Sequence, residues 1–299
     1  MEAEARIRSE TEHENSEPLK QRVAHCFEAT GADYLYWSRN LHMHFGVWRL
    51  GLNPFNLEGM LEQACHEVFA QFGRAHDESF DILDAGCGVG SSLGLARTTF
   101  PNAACMGVTL VPSQAEEAQR RVASRGCKVM LGDFECSELP SGSFDVVFSI
   151  EAAVYGSGID KQRYLREACR LLRPGGRLIV MDGYLTKPAA TMGWLSRWIY
   201  RRVCNGWAID DMIEKAPFLS AADRIGFELK RFRWLSLAIA PAAAHVPAAT
   251  MRYLWDSIVH KRRRSEESIR HVVSCVCGCL LGLHLHRFCY GMAVFQKRL

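Results

Sequence analysis

From residue 81 onward, short apolar runs alternate with stretches of helical spacing. Five of the runs are brief and bounded by Gly, Pro, Asp or Ser, as buried strands are: they cover residues 81–85, 104–109, 127–131, 144–150 and 176–182. Between them, three stretches carry helical spacing, the last ending at Pro174 and two glycines: they cover 91–100, 113–126 and 161–176. This alternation predicts a doubly wound α/β sheet with helices on both faces.

Two further strands are predicted near the C-terminus, at residues 228–235 and 290–296, with a long, mostly helical insertion between them. A second insertion, 183–212, is rich in Trp and Tyr. Insertions of this kind gather over the carboxyl ends of the strands, where ligands bind. We therefore predict four parts: a mobile polar arm (1–24), an N-terminal helical lid (25–80), a ligand-binding core (81–182), and the rest of the sheet with helical substrate-cap insertions (183–299).

The composition argues against some classes of partner. Lys and Arg exceed Asp and Glu by three, which does not favour a nucleic-acid partner. The basic run at 260–264 is followed at once by Ser-Glu-Glu and is interpreted as a solvated helix face. The longest weakly charged stretch, 272–283, is about half of the ~20 residues that a spanning helix needs, so we expect no stable membrane insertion.

Cysteine usage and the first residues bear on location and assembly. Twelve cysteines are scattered through the chain, many of them inside apolar runs, which is typical of buried thiols in a reducing cytoplasm. Residues 1–24 contain no apolar run of signal-peptide length. Their polarity prompts the hypothesis that the arm exchanges between subunits of a homo-oligomer. CVCGC (275–279) followed by HLH (284–286) lacks the paired spacings of structural zinc sites, so we expect no metal there.

The motif DAGCGVG (84–90) follows a predicted strand and opens a helix. Its glycines allow a tight turn and close approach to a ligand; a tight turn that binds no ligand is the alternative. Asp84, Gly86, Gly88 and Gly90 resemble the first motif of class I S-adenosylmethionine-dependent methyltransferases. The resemblance implies a Rossmann-like, seven-stranded mixed sheet, S-adenosyl-L-methionine as cofactor and S-adenosyl-L-homocysteine as product. It also implies that the loop lies against the amino-acid part of the cofactor.

GVTLVPSQ (107–114) has no carboxylate where many nucleotide-binding folds hold a ribose. Thr109, Leu110 and Gln114 resemble the pattern of cyclopropane fatty-acid synthases and related C-methyltransferases, with residues 111–113 departing from it. In that branch hydroxyl and amide groups bind the uncharged ribose hydroxyls. Without the resemblance, Gln114 would be an ordinary exposed helix residue.

The stretch 132–149 resembles the part of these enzymes that binds adenine. The resemblance implies that Asp133 accepts from the adenine amino group and that Phe134 packs near the ring, with Ile150 also at the cofactor. A turn-capping role for Asp133 is the alternative.

Two stretches bear on the reaction. SIEAAVYG (149–156) places Glu151 at the end of the fourth strand, and it resembles segments of sterol and tocopherol methyltransferases. DYLYWSRNLHMHFGVW (33–48) resembles the N-terminal segment that in those families folds over cofactor and acceptor. The matching positions include Tyr34, Tyr36, His44 and Trp48. The alternative is an amphipathic core helix with buried aromatic residues.

An activated methyl donor requires mainly alignment and exclusion of water. If the acceptor is an alkene carbon, Glu151 and the rings of Tyr34, Tyr155 or Trp207 could stabilise a carbocation. If the acceptor is a hydroxyl or amine, His44 is the candidate base. Carbon methylation is slightly favoured by the I-E-A and T-L-x-x-x-Q patterns.

We therefore predict a cytoplasmic methyltransferase that acts on a small lipophilic natural product of terpenoid, sterol-like or polyketide-like type. The alternatives are an O- or N-methyltransferase, an RNA methyltransferase and a catalytically inactive scaffold. The candidate residues are Glu151, His44 and Tyr155 for catalysis; Tyr36, Asp84, Gly86, Gly88, Gly90, Thr109, Leu110, Gln114, Asp133, Phe134 and Ile150 for the cofactor; and Tyr34, Trp48 and Trp207 for the substrate.

Overall fold

A computed structural model describes residues 18–261, 264–283 and 287–299. Eight strands are found in these residues: β1 Asp81–Ala85, β2 Ala104–Thr109, β3 Lys128–Leu131, β4 Phe144–Ile150, β5 Leu172–Leu185, β6 Ile213–Glu214, β7 Phe227–Trp234 and β8 Phe288–Lys297. The α-helices are α1 Leu19–Thr30, α2 Leu57–Phe69, α3 Ser91–Thr99, α4 Pro112–Val122, α5 Gln162–Leu171, α6 Trp194–Gly206, α7 Lys215–Ile225, α8 Ser236–Ala243, α9 Val246–Val259 and α10 Glu266–Gly282. Short 3₁₀ helices lie at Gly31–Tyr36, Ala123–Arg125, Ala153–Tyr155 and Ala189–Thr191.

The strands form one mixed sheet in the order β3-β2-β1-β4-β5-β8-β7, and short β6 pairs with the end of β5. Strands β1 to β5 run parallel, whereas β8 is antiparallel to both β5 and β7. The predicted seven-stranded mixed sheet is thus confirmed, with β6 as a short addition. The chain leaves β1 toward β2 on one side, while β4 lies on the other side. Ligands bind at such a reversal of strand order, at the carboxyl ends of the strands.

Side chains from the parallel strands alternate between two hydrophobic cores, one on each face of the sheet. Leu83 and Val147 belong to one core, and Ile82 and Phe148 belong to the other. Alternation with period two places both sets in apolar surroundings, which explains the near-continuous apolar runs of the sequence. A smaller cluster joins α2 to α8. None of the described helices is long and apolar enough to cross a membrane.

The segment RPGG (173–176) differs from the sequence expectation. Helix α5 ends at Leu171, before Pro174, so the helical pattern was extended too far. Leu172 already pairs with Phe144, and the next pair joins Arg177 to Val146. Residues 173–176 therefore lie outside the regular pairing of β5 with β4. A proline and two glycines are tolerated there because no hydrogen bond of the regular pairing depends on them.

The N-terminal boundary also differs. Helix α1 begins at Leu19, so the polar arm that was predicted to reach residue 24 ends earlier, and the arm's residues 1–17 lie outside the described part of the chain. Of the basic run 260–264, residues 262–263 lie outside it, and so does HLH (284–286). CVCGC (275–279) lies on α10, which packs closely on α6: a Cβ added to Gly206 would lie 1.8 Å from the Ser274 Oγ.

Candidate functional site

A cavity of about 650 Å³ opens at the carboxyl ends of β1, β2 and β4. Its floor consists of the residues that follow these strands. Its walls come from α1, from residues 33–45 and from the helices between β7 and β8, which are the elements predicted to form lids. This volume is within the usual range of small-molecule sites, roughly 300–1,000 Å³. Most of the lining is apolar.

The glycine loop after β1 lies at one end of this cavity. Gly86 and Gly88 line it, and both have positive φ angles, +93° and +53°. A Cβ added to Gly86 would lie 2.4 Å from the Ala152 Cβ, so no larger residue fits between this loop and the turn after β4. The narrow loop fits a ligand that approaches the backbone closely.

Two predicted cofactor residues of this loop do not line the cavity. Asp84 is buried beneath the loop, where it accepts a 2.5 Å hydrogen bond from the Ser92 Oγ. Its desolvation raises the pKa of the carboxyl to about 7. Gly90 faces α4, where an added Cβ would lie 3.1 Å from Val122 and 3.3 Å from Ala118. We conclude that Asp84 and Gly90 position the loop and helix α3. The glycine spacing suggested direct contact with the cofactor, but at Gly90 it allows close packing against α4.

Thr109 and Gln114, both predicted to bind the ribose of the cofactor, meet at the end of β2. The Thr109 Oγ1 donates to the Gln114 Oε1 over 3.0 Å, and both residues are buried. The Gln114 Nε2 lies 3.7 Å from the Met43 Sδ, and Leu110 also lines the cavity. Gln114 is therefore not an exposed helix residue. The pair presents a hydroxyl and an amide of fixed orientation, which suits uncharged ligand hydroxyls.

Asp133 and Phe134 line the cavity beyond β3. The Asp133 Oδ1 accepts from the backbone N–H of Glu135 over 2.8 Å, so the turn-capping role holds together with a position at the cavity. Lys20 of α1 reaches the same place: its Nζ lies 3.2 Å from Asp133, 2.8 Å from Glu135 and 5.0 Å from the centre of the Phe134 ring. Helix α1 is thus joined by charge to the turn that was predicted to bind adenine.

Glu151 follows β4 and holds an unusual conformation, with φ of +49°. Its Oε1 accepts two hydrogen bonds of 2.6 Å, from the backbone N–H of Phe45 and from the Tyr290 Oη. Burial raises the pKa of this carboxyl to about 8, although both hydrogen bonds lower it; the nearby Asp182 adds to the rise. No described residue bonds to Oε2. The Oε1 atom is therefore held by two hydrogen bonds, whereas Oε2 is available to a ligand in the cavity.

Aromatic rings surround this carboxyl. Tyr34 and Tyr155 line the cavity and both contact Phe27 of α1, at centroid distances of 6.5 and 5.3 Å. Burial raises the pKa of the Tyr34, Tyr155 and Tyr290 hydroxyls well above their ordinary values. The three phenols therefore stay neutral, and the rings of Tyr34 and Tyr155 contribute aromatic surface to the cavity wall.

His44 lies at the cavity but is not arranged as a base. Its Nδ1 lies 2.9 Å from the carbonyl oxygen of Phe45, and its Nε2 lies 3.2 Å from the His42 Nδ1 and 3.6 Å from the Cys65 Sγ. Burial lowers the pKa of His44 to about 3. Both ring nitrogens are occupied, and the imidazole is neutral at every physiological pH.

The remaining predicted residues separate into two groups. Tyr36, Trp207 and Ile150 line the cavity, although the Tyr36 hydroxyl is engaged with Asp256 over 2.6 Å. Trp48 does not line it: its Nε1 donates to the Leu52 carbonyl over 2.7 Å and its ring packs on the cluster between α2 and α8. The prediction that Trp48 contacts the substrate is wrong, because the chain turns away from the cavity after Phe45.

Several cavity residues carried no signal in the sequence. The sequence pattern places Tyr290 and Asp182 only within predicted strands, and Lys20 only within the predicted polar arm. His271 of α10 lines the cavity with its Nδ1 buried and without a hydrogen-bond partner among the described residues. Burial also lowers the pKa of His271 to about 4, against the effect of its hydrogen bond to the Gly206 backbone. The neutral ring therefore carries an unused hydrogen-bond acceptor beside an apolar chamber.

Comparison with known proteins identifies the domain that carries these residues. A family profile described as "Methyltransferase domain" matches residues 83–180, which carry the glycine loop, the Thr109–Gln114 pair, Asp133 and Glu151. A probable chloroplastic tocopherol O-methyltransferase of Oryza sativa subsp. japonica is 25% identical over 265 residues, covering 84% of this chain and 71% of that protein.

A sterol 24-C-methyltransferase of Aspergillus fumigatus is 32% identical over 172 residues. The match covers 56% of this chain and 44% of the fungal protein, so the chain spans less than half of that relative's length. Among solved structures, a cyclopropane synthase from Mycobacterium tuberculosis superposes with a TM-score of 0.78 at 17% identity, covering 94% of this chain and 99% of the other. This structural likeness supports the fold.

Proposed function

The chain belongs to the class I S-adenosylmethionine-dependent methyltransferases, and from this premise we propose that it methylates a small lipophilic metabolite, with carbon as the favoured acceptor atom. The observation that carries the proposal is the position of Glu151, a half-buried carboxyl that lines the cavity together with Tyr34 and Tyr155 at the carboxyl edge of β4. The Oryza and Aspergillus relatives, which are named for tocopherol and sterol methylation, support a lipophilic acceptor.

We further propose which residues hold the cofactor, S-adenosyl-L-methionine. The close approach at Gly86 and Gly88 suits its amino-acid part, Thr109 and Gln114 suit the ribose hydroxyls, and Asp133 with Phe134 suits the adenine. Lys20 then needs to share Asp133 with the ligand or leave it. Tyr36, Leu110 and Ile150 complete the lining on this side. When bound, the cofactor supplies an activated methyl group on a positively charged sulfur.

The surroundings of Glu151 favour carbon chemistry. Methylation of an alkene carbon leaves positive charge on the acceptor, and a carboxylate together with the faces of Tyr34 and Tyr155 stabilises such a charge. The fixed Oε1 keeps the carboxylate in place, since Tyr290 and the Phe45 N–H both hold it. Helices α1 and α10 line the cavity and limit the access of water to this charge.

Oxygen or nitrogen methylation is the second candidate, supported by the similarity to a tocopherol O-methyltransferase. It requires a base for the acceptor's proton, and His44 is poorly suited because both of its ring nitrogens are occupied. In this case Glu151 in its ionised form would take the proton, since its pKa of about 8 is close to working pH.

His271 adds a feature of the acceptor. Its ring lines the cavity, and its buried Nδ1 has no hydrogen-bond partner among the described residues; leaving such an acceptor unpaired costs roughly 1–3 kcal/mol. A ligand hydroxyl or N–H that donates to it would remove this cost. We therefore propose an acceptor that is mainly apolar and carries one hydrogen-bond donor.

The test uses methyl-labelled S-adenosyl-L-methionine and three classes of lipophilic acceptor: sterols, tocopherol-type phenols and unsaturated fatty acyl chains. We expect label in one class, and NMR of the product distinguishes a carbon-bound methyl from a methoxy group. Glu151→Gln should lower kcat by about 100-fold or more while leaving affinity for S-adenosyl-L-homocysteine unchanged. Glu228→Gln, a change of an exposed carboxyl on β7, is the matched control.

Two results would contradict the proposal. If no acceptor class gains label although the cofactor binds saturably, the lipophilic-acceptor assignment is wrong. If Glu151→Gln turns over at the wild-type rate, the carboxyl has no part in the reaction.

A further inference from the structure

Two histidines and a cysteine meet beside the cavity without a role in the methyl transfer proposed above. His42 and His44 lie in the irregular segment before α2, and Cys65 lies within α2. All three side chains are buried, with 4%, 7% and 0% exposure. One potential ligand atom from each lies within 4.8 Å of the others. We propose that these three residues bind a zinc ion.

The separations of the ligand atoms agree with tetrahedral zinc. Bond lengths of about 2.0–2.1 Å to nitrogen and about 2.3 Å to sulfur give edges of ~3.3 Å between two nitrogens and ~3.6 Å between nitrogen and sulfur. The His44 Nε2 lies 3.2 Å from the His42 Nδ1 and 3.6 Å from the Cys65 Sγ. Both edges that the structure gives therefore match without movement of the side chains.

Hydrogen-bond accounting supports an ion over direct contact. The His44 Nδ1 lies 2.9 Å from the Phe45 carbonyl and must donate its proton there, so Nε2 carries a lone pair only. That single lone pair faces both His42 and Cys65, and it can accept from just one of them. A metal ion uses all three lone pairs at once. Orientation of a ligand imidazole by a backbone carbonyl is also usual in metal sites.

The loop that carries the two histidines is held in place from α2. The backbone N–H of His42 donates to the Ser38 Oγ over 3.0 Å, and the Ser38 Oγ donates to Glu58 over 3.0 Å. Glu58 also accepts from the backbone N–H of Arg39. Because Cys65 belongs to the same helix as Glu58, these bonds fix the distance between the loop and the thiol.

Three protein ligands leave one tetrahedral position for another ligand. His42 and His44 both line the cavity, whereas Cys65 lies behind them. The fourth position would therefore be on the cavity side, within reach of an oxygen of the acceptor or of water. Zinc at this place would connect the N-terminal lid to the substrate chamber. It would also explain why two imidazole nitrogens and a thiol sulfur lie together next to a mostly apolar wall.

The test measures metal directly, without cofactor or acceptor, so it is separate from the test of methyl transfer. The full chain is produced with zinc in the medium, freed of loose metal by gel filtration, and measured by plasma mass spectrometry. We expect about one equivalent of zinc, and a loss of at least about 10-fold in Cys65→Ala. Cys289→Ala, which alters an equally buried thiol of β8 outside the cluster, should keep its zinc.

Cobalt(II) provides the second measurement. Added to the wild-type chain after zinc removal, it should give the intense near-ultraviolet band of a thiolate bound to cobalt, and Cys65→Ala should lack this band. If Cys65→Ala fails to fold by circular dichroism, the wild-type spectrum alone decides. A folded wild-type chain that carries less than about 0.1 equivalent of zinc and gives no cobalt band would overturn the proposal.

Discussion

The protonation of Glu151 gives a prediction that can be worked through in numbers. In the ligand-free chain its pKa is about 8, so about nine-tenths of the molecules carry the proton at pH 7. A positive charge about 6 Å away favours the ionised form by roughly 2.8 kcal/mol at an effective dielectric constant of 20. This corresponds to about two pKa units, and it would bring the pKa to ~6.

Binding of the positively charged cofactor should therefore release about 0.8 proton at pH 7. The sign follows from the direction of the shift: the free carboxyl holds a proton that the bound state gives up, so affinity for S-adenosyl-L-methionine rises with pH between about 6 and 8. The product S-adenosyl-L-homocysteine carries no sulfonium charge. Its binding should release almost no proton from Glu151.

Titration calorimetry in two buffers of different ionisation enthalpy measures the released protons. We expect a clear release with S-adenosyl-L-methionine, almost none with the product, and loss of the difference in Glu151→Gln. Asp182, whose pKa burial raises to about 7, accounts for any release that remains in this variant. Equal release with both ligands, or an unchanged difference in Glu151→Gln, would refute the placement of Glu151 beside the sulfonium.

Three further changes test other parts of the account. Gly86→Ala places its Cβ against Ala152 and should weaken S-adenosyl-L-homocysteine by about 100-fold in calorimetry, whereas Gly126→Ala, with positive φ but open space, should not. Asp84 is protonated in the fold up to a pKa of about 7, so the unfolding free energy falls from pH 4 to 7; Asp84→Asn should remove up to about 4 kcal/mol of this fall in urea titrations. His271→Phe should raise KM for the acceptor about 10-fold with little change in kcat, and an unchanged KM would exclude the proposed hydrogen bond.

Much of the fold could be predicted because local patterns determine it. The strands at 81–85, 104–109 and 144–150 agree with the structure residue for residue, since buried parallel strands are continuous apolar runs between clear turns. The clustering of the residues proposed to bind the cofactor could be anticipated for a similar reason. Its residues follow their strands directly, so Thr109, Asp133 and Glu151 reach the same sheet edge once the order of strands is known.

The rest of the site depends on contacts between distant parts of the chain. Tyr290 reaches Glu151 only because β8 inserts beside β5, and no spacing within the sequence indicates that pairing. His42, His44 and Cys65 meet because an irregular loop lies on α2. Trp48 was predicted to contact the substrate because the whole segment 33–48 resembles a segment of related methyltransferases. The backbone turns away from the cavity after Phe45, so Trp48 does not line it.

The most direct test of the cofactor site is calorimetric titration of the full chain with S-adenosyl-L-homocysteine. Wild type should bind with micromolar affinity, and Asp133→Ala should bind about 10-fold more weakly, because the adenine amino group loses its acceptor. Asp77→Ala, a change of an exposed carboxyl in the loop before β1, should bind as wild type does. Absence of binding in wild type, or equal affinity in wild type and Asp133→Ala, would contradict the account.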